Sequence, residues 1–307
     1  MRAETAISPA ITRRKSGTWA ALLASARPRQ WPKNLILFGP LVFAYKLFAL
    51  DLLTREVGAF LAFCLASSAV YIFNDLLDIE SDRQHPDKRL RPIASGQLGP
   101  SQAIAGAVAF GVAALAAAFA VNARVGMAAA GFMALMACYS LFIKHLVILD
   151  VFAIAAGFIL RAVAGALAIH VLISPWLYVC TLLLALFLGF SKRYNELLVL
   201  QGTAASHRRS LADYTPAMLE QLTSILVAST IMAYSLYTFS AENVPADHSL
   251  MLTIPFVLYG VFRYYFLVHR RNLGGAPEMV LLRDVPLMVD IALWGAVSVA
   301  VLYLGGK

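Results

Sequence analysis

The sequence predicts an all-α polytopic membrane protein with nine transmembrane helices, and three observations carry that reading. Of the 307 residues, 60% are hydrophobic and only 14% are charged, where a soluble domain carries about a quarter. Apolar runs of about 20 residues recur along the chain, each long enough to cross a hydrocarbon core of roughly 30 Å. The mean hydropathy is +0.73, and the strict apolar–polar alternation of a membrane barrel is absent.

The elements follow in order. Arg13, Arg14 and Lys15, then Trp19, Leu22 and Leu23, read as a cytoplasmic tail entering a short interfacial helix within residues 1–26. Residues 27–307 form the transmembrane domain. The first 26 residues lack an apolar core followed by a small-residue cleavage site, so no removable signal peptide is expected. Spans are expected over 34–50, 56–76, 99–121, 125–143, 147–169, 174–191, 217–241, 250–269 and 285–304. The first is short and follows Pro32, which points to a broken or tilted segment.

Basic residues set the orientation. With a cytoplasmic N-terminus, 19 of the 25 Lys and Arg residues fall on or near the cytoplasmic side, the asymmetry that fixes topology in such proteins. An odd number of spans then places the C-terminus outside. The same asymmetry accounts for the net charge of +8, so nucleic acid is not an expected partner. The long polar connections, 77–98 and 192–216, share the cytoplasmic side, which puts the functional mouth of the bundle there. Cys64, Cys138 and Cys180 lie in apolar runs without a CxxC spacing, and the six histidines form no HxxxH or HExxH pair. Neither disulfides nor zinc chemistry is expected.

The densest chemistry lies at 74–92, NDLLDIESDRQHPDKRLRP. Asp75, Asp78 and Asp82 stand at i, i+3 and i+7, one stripe on a helix. Three carboxylates in line suit Mg²⁺, a hard cation that shares oxygen ligands with substrate phosphates. Asn74 would support them, while Arg83, Lys88, Arg89 and Arg91 suit phosphate oxygens. Glu80 faces the other way and reads as solvated; His85, before Pro86, reads as a loop residue. A solvated helix end would explain the bases but not acids in register.

Charges also occur inside the spans. Arg161 lies about 16 Å from Asp150 along one helix face, with Gly157 between them. An intramembrane guanidinium marks function by default, so this face is expected to line the cavity, with bonding to backbone carbonyls as the structural alternative. Arg263 and Asp290 are expected to pair between the last two helices.

These residues carry a resemblance. N-D-x-x-D-x-x-x-D-R followed by K-R-x-R-P-I-A-S-G, leaving the second of nine spans, resembles the UbiA-type intramembrane prenyltransferase superfamily. Three segments are similar to its decaprenyl-phosphate phosphoribosyltransferase branch: Arg27-Pro28-Arg29-Gln30-Trp31-Pro32-Lys33-Asn34, then Gly189 to Leu197 (GFSKRYNEL), and Asp213-Tyr214-Thr215. The similarity runs from Arg27 onward and implies a UbiA-like bundle. One departure stands out. Aromatic prenyltransferases of the superfamily carry a second DxxxD motif after span 6, where this chain has Lys192, Arg193 and Glu196. Two cations there favour an anion over a second metal.

The resemblance implies an integral-membrane transferase that moves 5-phosphoribose from phosphoribosyl pyrophosphate to a polyprenyl phosphate, with Mg²⁺ as cofactor and diphosphate released. By role, Asp75, Asp78 and Asp82 would hold the metal. Lys192 and Arg193 would clamp a phosphate, with Tyr194 beside them in the motif and Glu196 orienting them or a ribose hydroxyl. Lys33 and Asn34 could complete the anion pocket, although Lys33 serves equally as a membrane anchor. Tyr139 and Lys144 match a superfamily pattern of Tyr and Lys near the pocket. The location implied is the cell (inner) membrane, and a homo-oligomer is compatible with the sequence. The alternative within the fold moves a prenyl group from prenyl diphosphate to an aromatic or other small acceptor. A transporter or flippase would need charges accessible from both sides, and here they cluster on one.

Overall fold

The computed structural model describes residues 17–172, 174–199, 209–241, 244–271, 279–280 and 283–304. The tail with Arg13, Arg14 and Lys15, and Arg208, lie outside them. The described chain is helical throughout, and eight of its helices are long and apolar enough to cross a membrane. Short α1 (Thr18–Ala26) precedes a 3₁₀ stretch (Pro28–Phe38) and α2 (Gly39–Phe43). Then come α3 (Leu50–Leu77), α4 (Ile79–Gln84), α5 (Pro100–Val121), α6 (Ala123–Leu141), α7 (Leu149–Ala168) and α8 (Pro175–Val199). A 3₁₀ turn (Arg209–Asp213) leads to α9 (Pro216–Ser240), α10 (Ile254–Arg271) and α11 (Val285–Leu304).

The helix ends have local causes. Pro100 opens α5 at a position where no N–H bond is lost, and the Gln102 side chain accepts the Gly99 N–H at 3.2 Å. Asn122 caps α6 by accepting the Val125 N–H at 2.9 Å. Its amide also donates to the Leu167 carbonyl, 3.1 Å away near the end of α7. Thr215 accepts the Met218 N–H at 3.2 Å and Pro216 opens α9.

Over 34–50, where a first span was expected, the chain instead runs as the 3₁₀ stretch and five-residue α2. Pro32 and Pro40 explain the break, since each lacks the N–H that a continuous helix needs. The stretch nevertheless travels the length of α3. It starts at Arg27, bonded to Asp75 near the end of α3, and finishes near Leu47, which donates to Tyr303 at the end of α11.

Two apolar clusters hold the bundle. One joins Leu37, Leu41, Phe63, Phe132 and Ala164 across the 3₁₀ stretch, α2, α3, α6 and α7. The other joins Val151, Phe187, Phe190, Leu219, Tyr264 and Leu267 across α7 to α10. Helix α7 belongs to both, and its buried face is mostly alanine and glycine, interrupted by Asp150, Val151 and Arg161; the small residues allow backbones to approach closely. A Cβ at Gly165 would collide with the Leu37 carbonyl. α1 buries Ala21 against Ile72, Ile93 and Leu98, and leaves Trp19 and Leu23 exposed.

The expected Arg263–Asp290 pair does not form. Arg263 instead donates to both oxygens of Asp284, at 3.1 and 2.9 Å, while Asp290 lies against Gly260. Asp284 is already fixed at the start of α11 by the Leu287 N–H. A long basic side chain gains by reaching toward the membrane surface rather than deeper.

Candidate functional site at one end of the bundle

The end of α3, the start of α5, the α6–α7 turn, the end of α8 and the start of α9 meet at one face of the bundle. Helix α3 stops at Leu77, and Asp78 forms the joint with α4 (φ −99°, ψ 12°). The three aspartates therefore do not share one continuous helix, as their spacing had predicted. The joint turns Asp82 back, however, and Asp75 and Asp82 become almost wholly buried, 2% and 3% exposed. Both reach the same nitrogen of Arg91, at 3.0 and 2.6 Å, and Arg27 also bonds Asp75. Burial pushes the Asp82 carboxyl above the ordinary aspartate value, against the pull of Arg91.

Asp78 has separate partners. Lys144, from the turn between α6 and α7, lies 2.5 Å away, and the Asn74 amide donates at 2.9 Å. Among the described residues no three His, Cys, Asp or Glu side chains gather closely enough to hold a metal together. The fit to Mg²⁺ is thus two-sided. Asp75 and Asp82 converge on one positive point, as two carboxylates around a divalent cation would, with the Arg91 guanidinium in that place. Asp78 stands apart with Lys144.

The other predicted residues divide between mouth, rim and interior. Arg83 is half exposed, paired with Glu80 and donating to the Ala94 carbonyl. Arg89 is exposed and donates to the Pro86 carbonyl. Lys88 and Lys33 are half-buried. Glu80 is solvent-facing, and His85 accepts the Asp87 and Lys88 N–H groups within its own loop.

At the end of α8, Lys192 remains 39% exposed, 3.9 Å from Glu196. Arg193 is only 1% exposed: it faces Asp150 at 2.8 Å, bonds Glu196 and donates to the Tyr139 hydroxyl at 3.4 Å. Lys192 is the one of the pair that is open to solvent. Tyr194 points elsewhere, donating to Glu220 at 2.8 Å and lying against the His269 ring.

Arg161 and Asp150 share the buried face of α7, but their partners differ from the expected common cavity wall. Asp150 binds Arg193 and Tyr214. Arg161 donates to Asn34 at 2.6 Å, to Ser67 at 3.2 Å and to the Gly157 carbonyl at 3.0 Å, and its guanidinium stacks over Phe132 at 4.3 Å. Asn34 is fully buried in this cluster. Beside it opens an apolar groove of about 640 Å³, walled by Leu35, Ile36, Phe158, Leu184, Tyr264 and Trp294 among others. Phe158 borders both groove and guanidinium. Arg27 was missing from the residue-by-residue expectation; its place at the head of the RPRQWPKN segment was the available signal.

The model of the UbiA prenyltransferase family matches residues 17–280. A Mycobacterium tuberculosis protein named decaprenyl-phosphate phosphoribosyltransferase is 31% identical over 299 residues, covering 96% of this chain and 98% of the relative. A Corynebacterium glutamicum protein of the same name is 33% identical, covering 92% and 87%. Among solved structures, a UbiA homologue from Archaeoglobus fulgidus bound to DMAPP and Mg²⁺ superposes with a TM-score of 0.70 at 20% identity, covering 92% of this chain and 99% of its own.

Proposed function

The chain belongs to the UbiA prenyltransferase family, and from that premise we propose that it transfers 5-phosphoribose from phosphoribosyl pyrophosphate to a decaprenyl-type polyprenyl phosphate. The observation that carries this reading is the mouth itself: a buried acid pair set among cations, with the partly exposed Lys192 where a second acid motif would serve two metals. Relatives at about a third identity over nearly their full length bear the corresponding name.

An oxygen of the lipid phosphate attacks the anomeric carbon as the bond from that carbon to the diphosphate oxygen breaks, and diphosphate leaves. A phosphate monoester is already anionic, so the protein needs no strong base, and its tasks are positioning and electrostatic stabilisation. Positive charge develops on the ribose, as in other glycosyl transfers. Asp75 and Asp82 are the residues that would hold Mg²⁺, with Asp78 joining directly or through water; the metal, when bound, neutralises charge on the leaving diphosphate. With the acids so engaged, Arg91 and Arg27 would be available to phosphate oxygens, together with Lys144 and Lys192. Arg83, Lys88, Arg89 and Lys33 ring the entrance. The groove would take the polyprenyl chain, and Arg161 and Asn34, buried behind its wall at Leu35 and Phe158, are assigned to the lipid phosphate.

We place the mouth and the N-terminus on the cytoplasmic side of the inner membrane, since the basic residues gather there. The 3₁₀ stretch and α2 supply the ninth crossing: at about 2.0 Å and 1.5 Å per residue they extend roughly 30 Å. The C-terminus then lies outside.

The test uses purified protein, Mg²⁺, a decaprenyl-length polyprenyl phosphate and phosphoribosyl pyrophosphate labelled in the ribose. Label should move into the organic phase. Turnover of a prenyl diphosphate with an aromatic acceptor, and none with the ribosyl donor, would replace this reading with the other transferase chemistry.

A further inference from the structure

The Asp213-Tyr214-Thr215 segment has no part in the chemistry above, yet it is bound to a strained turn beside the mouth. Ile148, between the Lys144 turn and α7, has φ 68° and ψ −52°. The Leu149 N–H reaches back to the Val147 carbonyl at 2.7 Å. Together these describe a γ-turn of the rare, strained, positive-φ hand, centred on a β-branched residue for which positive φ is an outlier. A relaxed loop could join α6 to α7 without it. Strain of this kind persists only where surrounding contacts enforce it, and it gathers where geometry matters to function.

The enforcing contacts come from the segment after α8. The Tyr214 hydroxyl accepts the Ile148 N–H at 2.7 Å and donates to Asp150 at 3.0 Å. Burial, reinforced by Asp150, holds that hydroxyl above the ordinary tyrosine range, so it stays protonated and able to donate. Asp150 is in turn fixed by Arg193. One turn earlier, buried Ser210 donates to the backbone carbonyl of Lys144 at 3.0 Å. On the far side of that turn the Lys144 ammonium meets Asp78. Tyr214 itself is closed off from the mouth, with its ring edge-on to Phe190.

We infer that Tyr214 is a positioning residue: it latches the strained turn at Ile148 and so sets where Lys144 stands opposite Asp78. The inference rests on the proposed function for the role of Lys144, but not for the latch.

The experiment compares Tyr214→Phe, which keeps the ring and removes both hydrogen bonds, with Tyr214→Phe combined with Ile148→Gly. Glycine adopts positive φ freely, so it should restore the turn without the tyrosine hydroxyl. Tyr214→Phe is expected to lower kcat about tenfold with KM for the lipid unchanged, as for a displaced catalytic group. Amide exchange over residues 143–150 should rise, and the added glycine should recover at least half the lost rate. A merely structural role would raise exchange throughout the bundle and not at 143–150 alone. Full activity in Tyr214→Phe, or no recovery in the double variant, overturns the inference. Should the wild type transfer no label from phosphoribosyl pyrophosphate, the functional reading falls separately. Exchange then decides the latch, and unchanged protection in Tyr214→Phe would refute it.

Discussion

Two charged regions a few turns apart solve opposite problems. At the end of α3 every carboxylate has a cation: Asp75 and Asp82 share Arg91, Arg27 adds to Asp75, and Lys144 meets Asp78. Deeper in the bundle Arg161 has only neutral hydrogen-bond partners among the described residues: an amide, a hydroxyl and a carbonyl, with aromatic faces around it. A guanidinium buried in the membrane without an anion is costly, whereas at the mouth each aspartate is matched by a cation. The first region is at rest without a ligand. The second is organised around a positive charge that a lipid phosphate could complete.

That contrast can be broken at either end. The largest effect is expected from Asp75→Asn, which removes one of the two converging acids. Transfer should fall about a hundredfold or more, on the scale of losing a principal electrostatic group, and an undiminished rate in the labelled-donor assay would end the metal assignment. Arg161→Met separates stability from function. Removing the guanidinium relieves an uncompensated buried ion but leaves the Asn34 oxygen without that donor. The melting temperature should therefore change little while transfer drops about tenfold or more. Equal losses in both would make Arg161 structural.

Lys144→Gln should lower kcat about tenfold and leave KM for the lipid unchanged, because the ammonium sits with the aspartates and away from the groove. A smaller effect concerns Asp82. Its raised value means that the folded protein binds the proton more tightly than the unfolded chain. The stability it contributes is present below the ordinary aspartate value and is lost as pH rises through the raised one. Asp82→Asn should flatten the fall in melting temperature across that window; a slope identical to wild type would count against the burial argument. The smallest effect belongs to Arg263→Gln, whose pair with Asp284 lies outside both regions. Neither rate nor melting temperature should change measurably.

Much of this architecture was legible in the sequence because hydropathy and charge act locally. Apolar length located the eight long helices. What failed were inferences across joints and between elements. The aspartate stripe assumed that α3 continued past Leu77, and periodicity does not announce a joint at Asp78. The spacing of Asp150 and Arg161 correctly put both on one buried face. It could not reveal that about 16 Å of rise gives each a different neighbour, Arg193 for one and Asn34 for the other. Arg263 likewise had two aspartates in reach, and only the cap at Asp284 decided between them. Pro32 did signal trouble in the first span, although not that the segment would still run the length of its neighbour.

The double use of Asn122 has a bearing on how the protein is made. Its oxygen can cap α6 as soon as the α5–α6 hairpin leaves the ribosome, but its amide has no acceptor until Leu167 has been synthesised and α7 has come alongside. The end of the bundle opposite the mouth therefore closes in order of translation. Its seal is a side chain that waits for a later helix to arrive.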